Sequence, residues 1–356
     1  MICRAEIKKN AGFVLVSVLW LLVIMALAAS AFSVWVDQSR SQASERQQQV
    51  RAQIKGSDIF AKVLYTYMTG ERGVSGVPWP ATEAKDRALQ VLGFDSLEDF
   101  VSGAAPEAKA RTAAGYMRMD GRVWDAGEGV RVIVQDRGGL IGLSSLSQRA
   151  VFTALAKQGG NKKMTERLQQ TLYDYQDHNS YRRESGAEAH HYEKAGLPLP
   201  MNGYLRFPLQ LRAVMNWTDA LAGFSDASLL KTFKVDGGAS VNANTASIDA
   251  LRLVSSNQSM AEEIAAVSAK APYKSIFDLP GDKSGGDDIP FSITMTGGFR
   301  FWWWHINDPV AHVYDVQFDS LESGRNTRII NWTTRVALPD ELAKSPAVEI
   351  DHPFFH

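Results

Sequence analysis

The sequence predicts an α+β fold, in which a long N-terminal helix packs on an antiparallel sheet and a large all-α domain is inserted. Two observations predict it. An apolar run that begins at Phe13 continues into an amphipathic segment without proline, which is typical of one long helix. Two blocks with strand-like alternation, at 115–136 and 291–338, are separated by about 150 residues of mainly helical character, a common domain size.

The apolar run from Phe13 to Val36 has the length of a membrane-spanning helix. At a rise of about 1.5 Å per residue, its 24 residues cover ~36 Å, which exceeds the ~30 Å hydrocarbon core of a bilayer. The apolar core of a signal peptide has only about 7–15 residues. Lys8 and Lys9 precede the run, so the positive-inside bias keeps the N-terminus in the cytoplasm. Cleavage by an ordinary signal peptidase at the A-x-A pattern of 29–31 stays open as an alternative.

The helical pattern continues beyond the membrane run to about Tyr67, with Gly56 as a predicted soft point. Glycines and prolines then break the pattern at 70–80, and short helices are predicted at 83–92 and 97–111.

The strand-like blocks predict one sheet. Asp120-Gly121 predicts a turn between two antiparallel strands, the second of which ends at Val134. Three further strands are predicted in "FSITMTGGFRFWWWHI", "VAHVYDVQFDS" and "RNTRIINWTTRVAL", and they are expected to join the first pair.

Composition and motifs argue against catalysis. The 356 residues carry a net charge of −1, so there is no basic excess of the kind that nucleic-acid binding requires. The sequence contains no G-x-S-x-G, HExxH, P-loop or paired CxxC motif, and its one cysteine is Cys3. His190 and His191 are adjacent, so on a helix they point about 100° apart and are expected to form a solvated patch rather than a metal site.

Two acidic groups could bind an ion. Asp282, Asp287 and Asp288 lie in the glycine-rich loop "GDKSGGDDIP", and carboxylate oxygens are the ligands that Ca²⁺ prefers. Asp and Gly are also ordinary loop residues, so a plain loop is the alternative. The second group, which Asp174, Asp177 and Glu188 form, has weaker support.

The aromatic block "FRFWWWHI" predicts a strand with large apolar side chains on both faces. Trp302 and Trp304 share one face, and Trp303 lies on the other. These tryptophans either pack inside the chain on both sides of the sheet or form part of a partner interface, in which aromatic residues act as anchors.

The N-terminal junction resembles the prepilin-type leader of type IV pilins and secretion pseudopilins. Gly12 is followed by the aromatic Phe13, with basic residues before it and the apolar helix after it. The resemblance implies that a prepilin peptidase cuts after Gly12 and methylates Phe13, leaving the helix in the membrane. Together with the predicted elements, the resemblance divides the chain into six parts: a leader at 1–12, a transmembrane half-helix at 13–36, a periplasmic half-helix at 37–69, a first part of a pilin-like domain at 70–143, an inserted helical domain at 144–285 and C-terminal strands at 286–356.

Successive blocks resemble the K-class minor pseudopilins of type II secretion systems, often called GspK. These blocks are Asp136 with Gly138, Asp174 with Asp177, Gly186-Ala187-Glu188 with Tyr192, Leu211-Arg212, and Asn242 to Ala246. The resemblance extends in order from Gly12 to about Leu279, whereas the strands from Phe291 onward align only loosely. Like the K class, this chain lacks the glutamate that most pilins carry at the fifth mature position, where it has Ser17.

The resemblance implies a non-enzymatic subunit at the tip of a periplasmic pseudopilus that assists export of folded proteins through the outer membrane. The implied partners are the I-, J- and H-class minor pseudopilins, the major pseudopilin, the inner-membrane assembly platform and the prepilin peptidase. The implied location is the bacterial inner membrane, crossed once, with the C-terminal bulk in the periplasm. K-class pseudopilins also bind calcium, so Ca²⁺ is the implied cofactor.

Three alternative functions stay open. The chain could be a minor pilin of a type IV pilus, a membrane-anchored periplasmic binding module or a helix-hairpin-helix DNA-binding protein. The last is disfavoured, because the hairpin at 255–259 has no glycine for close approach to phosphate, and Glu262 and Glu263 would repel the phosphate backbone. No nucleic-acid partner is therefore expected.

Overall fold

The computed structural model describes residues 11–70, 72–79, 101, 116–143, 149–158, 164–237, 240–255, 257–280, 291–320, 326–350, 352 and 355. Side chains are described for the same residues except 11–14, 149–150, 157–158, 319–320 and 326–331. The short helices predicted at 83–92 and 97–111 lie outside the described residues, apart from the helical Val101.

Helix α1 runs from Ala11 to Thr69 and has 59 residues, which confirms the predicted long N-terminal helix. One compact unit of the chain ends at Ile54, and a second begins at Lys55. An 18-residue window of α1 has a mean hydropathy of 2.5, so the helix is long and apolar enough to cross a membrane. In the first unit, the large apolar side chains of this stretch are exposed: Leu15, Val16, Val18, Leu19, Trp20, Leu21, Leu22, Val23, Ile24, Met25, Leu27, Phe32, Val34 and Trp35.

The second unit contains the strands. In chain order they are β1 Gly76–Pro78, β2 Tyr116–Arg118, β3 Asp120–Asp125, β4 Val130–Asp136, β5 Ile141–Gly142, β6 Phe233–Lys234, β7 Val241–Asn242, β8 Phe291–Ser292, β9 Gly298–His305, β10 Val310–Ser320, β11 Asn326–Ala337 and β12 Val348–Glu349. Six of them form one sheet in the order β11-β10-β9-β4-β3-β12. Its pairs are antiparallel except β12 with β3, which are parallel. The predicted C-terminal strands join β4 and β3 in this sheet, through β9 and β4. The first strand of the predicted pair does not belong to it, because β2 pairs with β1 instead.

The turn between β3 and β4 lies at Gly127-Glu128-Gly129, so the predicted turn at Asp120-Gly121 is wrong. These three residues have φ of 80°, 52° and 72°, and glycine adopts such left-handed conformations without steric cost. The amide of Val130 closes the turn by donating to the carbonyl of Gly127 at 2.9 Å. Asp120-Gly121 instead begins β3, beside a break in the strand register.

The end of α1 that belongs to the second unit packs on one face of the sheet. The Phe60 ring lies 5.0 Å from that of Tyr314, and the Tyr67 ring lies 5.0 Å from those of Phe299 and Phe318. Gly56 is buried, and a Cβ there would lie 2.5 Å from the ring of Trp303. The glycine predicted as a soft point is therefore a close-packing position, because only a bare backbone leaves room for the indole.

The opposite face of the sheet contacts the inserted domain. Trp302 and Trp304 lie in one apolar cluster with Ile133, with Val313 and with Leu230 of a helix in that domain. The exposed fractions of Trp302, Trp303 and Trp304 are 0%, 4% and 1%. All three rings are covered by other parts of the same chain. The structure therefore favours internal packing of these tryptophans over the predicted partner interface.

The inserted segment is mainly helical and has its own core. The α+β fold class is confirmed, but the insertion is not all-α, because it contains the two-residue strands β6 and β7. Its helices are Arg149–Gln158, Met164–Gln176, Ala189–Ala195, Asp226–Thr232, Ile248–Val254 and Gln258–Lys270. Trp217 is fully buried in this core, and its indole N–H donates to the carbonyl of Leu168 at 3.1 Å. The predicted domain limits at 144 and 285 lie outside the described residues and stay predictions.

The helical hairpin that could resemble a DNA-binding module is used inside the chain. Asn257 caps its second helix by accepting a hydrogen bond from the amide of Met260 at 2.8 Å. At the other end of that helix, the guanidinium of Arg118 on β2 donates to the carbonyls of Ser268 at 2.6 Å and Ala269 at 3.1 Å. The hairpin is thus fastened to the strands through otherwise unpaired helix-end carbonyls.

One buried carboxylate joins the sheet to the inserted domain. Asp136, at the end of β4, accepts hydrogen bonds at 3.0–3.2 Å from five donors. The donors are the amide of Gly138, the side chains of Asn242 and Thr245, and both the amide and the hydroxyl of Thr296. The chain leaves the main sheet after Asp136 and enters it again at β9, which Thr296 precedes, so this carboxylate joins the exit from the sheet to the return.

Candidate metal centre

Three carboxylates of the inserted domain converge at one point. Asp174 lies in the last turn of the helix Met164–Gln176, Asp177 follows that helix, and Glu188 immediately precedes the helix Ala189–Ala195. One oxygen from each lies within 4.8 Å of the other two. Asp174 and Glu188 are buried and Asp177 is partly buried. The structure therefore brings together the acidic set that the sequence had supported only weakly.

The intervening loop is folded back against the helix end. The amide of Arg183 donates to Oδ2 of Asp174 at 3.1 Å, and the amide of Ser185 donates to Oε1 of Gln170 at 2.6 Å. At Gly186, a Cβ would lie only 1.9 Å from Oδ2 of Asp174. Glycine is required there because the backbone passes against the carboxylate, and this passage places Glu188 beside the two aspartates.

The cluster carries an excess of negative charge. Nη1 of Arg183 donates to Oδ1 of Asp174 and to Oδ2 of Asp177, both at 2.6 Å. With all three carboxylates ionised, one guanidinium leaves a net charge of −2 from three negative charges and one positive charge. Burial, and then the charges of Asp174 and Asp177, raises the pKa of Glu188. The C-terminal end of a helix is itself partly negative, which adds to the need for a cation.

The donor set and its dimensions fit calcium. Oδ1 of Asp177 and Oε1 of Glu188 are buried and have no hydrogen-bond partner among the described residues. Because Ca²⁺ binds oxygens at about 2.3–2.6 Å, two of its ligands lie at most about 5 Å apart, which accommodates the 4.8 Å limit of this cluster. These carboxylates would supply three of the six to eight oxygens that Ca²⁺ takes.

The neighbouring histidines do not join this cluster as ligands. Nδ1 of His191 accepts a hydrogen bond from the amide of Glu188 at 3.2 Å, which occupies that nitrogen. The ring centroids of His190 and His191 lie 3.6 Å apart, and His190 is exposed. His191 therefore helps to position the backbone at Glu188, while His190 lies at the surface as the sequence suggested.

The other predicted site residues lie far along the chain from this carboxylate cluster. Gly12 and Phe13 lie in the first turn of α1, and Ser17 is an exposed residue of the same helix. The loop with Asp282, Asp287 and Asp288 lies outside the described residues.

Sequence reasoning missed the role of Arg183. It bridges two of the carboxylates, and its guanidinium also lies 5.2 Å from the centre of the Tyr173 ring. The only signal in the sequence was the pair of arginines, Arg182 and Arg183, within an otherwise acidic block. That pattern alone does not distinguish an internal ion pair from a solvated surface charge.

Comparison with solved structures gives a partial likeness. No protein-family profile and no curated protein matches the chain. The structure is similar to a chain in the crystal structure of the GspK-GspI-GspJ complex from the type 2 secretion system of enterotoxigenic Escherichia coli. The two share 11% identity, with a TM-score of 0.42, over 71% of this chain and 98% of that one. A likeness of this strength carries no conclusion about function or partners.

Proposed function

We propose that this protein is a non-enzymatic minor pseudopilin of a type II secretion system, located at the tip of a periplasmic pseudopilus. One observation carries the proposal: a single helix contains both an apolar stretch and a packed stretch. The side chains from Leu15 to Trp35 are mostly apolar and exposed, whereas Ile59, Val63 and Tyr67 are buried. The Tyr67 ring packs on Phe299 and Phe318 of the sheet. Such a helix can serve as a membrane anchor in one half and as the spine of a folded domain in the other.

The tip position is supported by Ser17 and by the inserted domain. In most pilins, a carboxylate at this position neutralises the terminal ammonium of a neighbouring subunit inside an apolar bundle, where an unpaired charge costs several kcal/mol. A serine cannot supply that charge. An extra domain of about 150 residues, as large as many whole domains, would also obstruct a subunit stacked above it. A subunit with no neighbour above avoids both difficulties.

The first prediction concerns the N-terminus. In cells that carry a prepilin peptidase, the mature chain should begin with N-methylated Phe13 and should stay in the inner-membrane fraction. Intact-mass and N-terminal peptide mass spectrometry measure this directly. Gly12→Val should leave the leader attached, because the peptidase would no longer find its glycine, whereas the neighbouring change Asn10→Gln serves as a control that is still processed.

The outcome distinguishes two kinds of anchor. A soluble product that begins near Phe32 would mean that ordinary signal peptidase cuts after the A-x-A pattern at 29–31, and it would contradict the pseudopilin proposal. A full-length, unmethylated membrane chain would likewise contradict it, since it would leave a plain anchored protein.

The second prediction concerns position in the filament. Crosslinking in assembled pseudopili should join this chain to I- and J-class subunits in equal amounts and should give no links between its own copies. Ser17→Glu should leave secretion of exoproteins nearly unchanged, because no preceding ammonium needs a partner at the tip. Finding this chain repeated along the shaft would contradict the tip position while leaving the processing result intact.

We further propose that Ca²⁺ occupies the cluster of Asp174, Asp177 and Glu188. The proposal is supported by the two buried oxygens without hydrogen-bond partners and by the net negative charge that Arg183 leaves. Arg183 is 41% exposed, so its guanidinium can move toward solvent when a divalent ion takes its place. The acidic loop of Asp282, Asp287 and Asp288 stays a second proposed calcium site.

The third prediction is that calcium stabilises the full chain in detergent micelles. At a free concentration of about one hundred times Kd, binding to the folded state alone adds about 2.7 kcal/mol, which raises the melting temperature. Asp177→Asn should abolish most of this increment, because it removes a charged ligand. The matched control is Glu184→Gln, an exposed acid of the same loop, which should keep the full increment.

Two other outcomes are informative. If Asp287→Asn with Asp288→Asn removes the increment while Asp177→Asn does not, the ion binds at the second loop. If millimolar Ca²⁺ leaves the melting temperature of the unmodified chain unchanged, the chain has no calcium site that contributes to stability.

A further inference from the structure

The main sheet has two unlike edges. At one edge, β12 pairs in parallel with β3, and the amide of Ile350 then donates to the carbonyl of Asp125 at 3.0 Å. At the other edge, β11 pairs with β10 along its inner side. Among the described residues, no strand pairs with the outer side of β11. In the part of the chain that the structure describes, that side therefore presents a row of backbone N–H and C=O groups for pairing.

The segment Trp332–Ala337 of β11 is regular and carries few of the features that protect edge strands. Its register with β10 is continuous from the Trp332–Asp315 pair to the Ala337–Val310 pair. The irregularity of β11 lies before this segment, where Asn331 has no partner in the register. The twelve residues of β11 include no proline, lysine, aspartate or glutamate, the residues that usually discourage edge pairing.

Side chains on one face of the sheet hold this segment of β11 in place. Val336 is buried. The ring of Trp332 lies 6.4 Å from that of Phe207, between ring centres, and 4.8 Å from the guanidinium of Arg300. Thr333 and Arg335 alternate with these residues and are exposed. An incoming strand would meet a backbone that is already ordered, which lowers the entropy lost on binding.

Charge selects the chemistry of the incoming strand. Arg335 carries the only formal charge of the segment, and no carboxylate among the described residues forms an ion pair with it. His312 lies directly opposite on β10, and burial, followed by the charge of Arg335, lowers its pKa. Asp308 acts on that pKa in the opposite direction. A carboxylate that faces Arg335 from the next strand would be attracted by its guanidinium. A second copy of β11, paired antiparallel about residue 334 or 335, would place two Arg335 side chains beside each other, which is unfavourable.

We propose that the outer edge of Trp332–Ala337 binds an extended segment of another protein, which adds a strand to the sheet and places a carboxylate near Arg335. The backbone pairing would provide affinity, and the carboxylate would provide the preference for an acidic partner. This surface does not depend on the secretion role, because it rests only on the sheet edge and its charge.

The test uses the full chain in detergent micelles and two blocked hexapeptides, Thr-Val-Thr-Glu-Thr-Val and the same peptide with Lys in place of Glu. Amide hydrogen exchange should slow across Trp332–Ala337 when the acidic peptide is added. The acidic peptide should bind about 1.4- to 5-fold more tightly than the basic one, the range expected for one cross-strand charge pair. Arg335→Glu should reverse this preference, whereas Arg206→Glu, at an exposed site elsewhere, should not.

A pair of proline variants separates edge binding from damage to the sheet. Successive amides of a strand point to opposite sides, so of Thr333→Pro and Thr334→Pro one removes a donor to β10 and the other removes an outward donor. Of these two variants, the one whose melting temperature is closer to that of the unmodified chain should lack the outward donor. In that variant, the acidic peptide should no longer slow amide exchange in β11. Equal binding of both peptides by wild type and Arg335→Glu, or protection away from β11, would overturn the proposal. Protection of β11 that rises with protein concentration alone would assign the edge to a second copy and would also overturn it.

Discussion

The buried carboxylate of Asp136 is the constraint on which the arrangement of sheet and helical domain depends. It is fully buried, yet five donors satisfy it, and they come from the turn after β4, from the segment around β7 and from the residues that precede β9. Burial raises the pKa of Asp136, while the donated hydrogen bonds act in the opposite direction. Removing an acceptor of this kind leaves several buried donors without a partner, which is costly.

A second buried group fixes the same junction from the sheet side. Arg300 on β9 forms an ion pair with Asp315 at 2.7 Å and donates to the carbonyl of Phe233 at 2.8 Å, at the end of a helix in the inserted domain. Both Arg300 and Asp315 are 0% exposed. Buried ion pairs of this kind add little net stability compared with apolar packing. Their geometry does restrict how the helical domain can sit on the strands, and this is the role that the contacts of Arg300 support.

The sequence predicted the elements better than the contacts. The long helix and the three C-terminal strands followed from periodicity, because each element is long and has a consistent pattern. The first turn was misplaced, since Asp-Gly is a strong turn signal, while the reversal depends on three residues with positive φ that include Glu128. Gly56 was misinterpreted because helix propensity does not reveal that Trp303, far along the chain, packs against it.

At the candidate site, too, the residues could be predicted from the sequence but their contacts could not. Asp174, Asp177 and Glu188 could be named from the sequence, because acidic residues beside a Gly-Ala-Glu segment stand out. Their convergence could not be derived, since it depends on the backbone passage at Gly186 and on the bridging guanidinium of Arg183. The proposal of a second calcium site at the loop of Asp287 and Asp288 rests on the sequence pattern alone.

Native-state hydrogen exchange on the unmodified chain and on Asp136→Asn tests the central claim most directly, with exposed Asp340→Asn as the control. If Asp136 couples the two parts, the slowest amides of β9 and of the helix Met164–Gln176 should open with one free energy in the unmodified chain. In Asp136→Asn, the helix should open more easily than β9, by about 1–3 kcal/mol. The claim would be contradicted if β9 and the helix opened with different free energies in the unmodified chain. It would also be contradicted if their opening free energies stayed equal in Asp136→Asn.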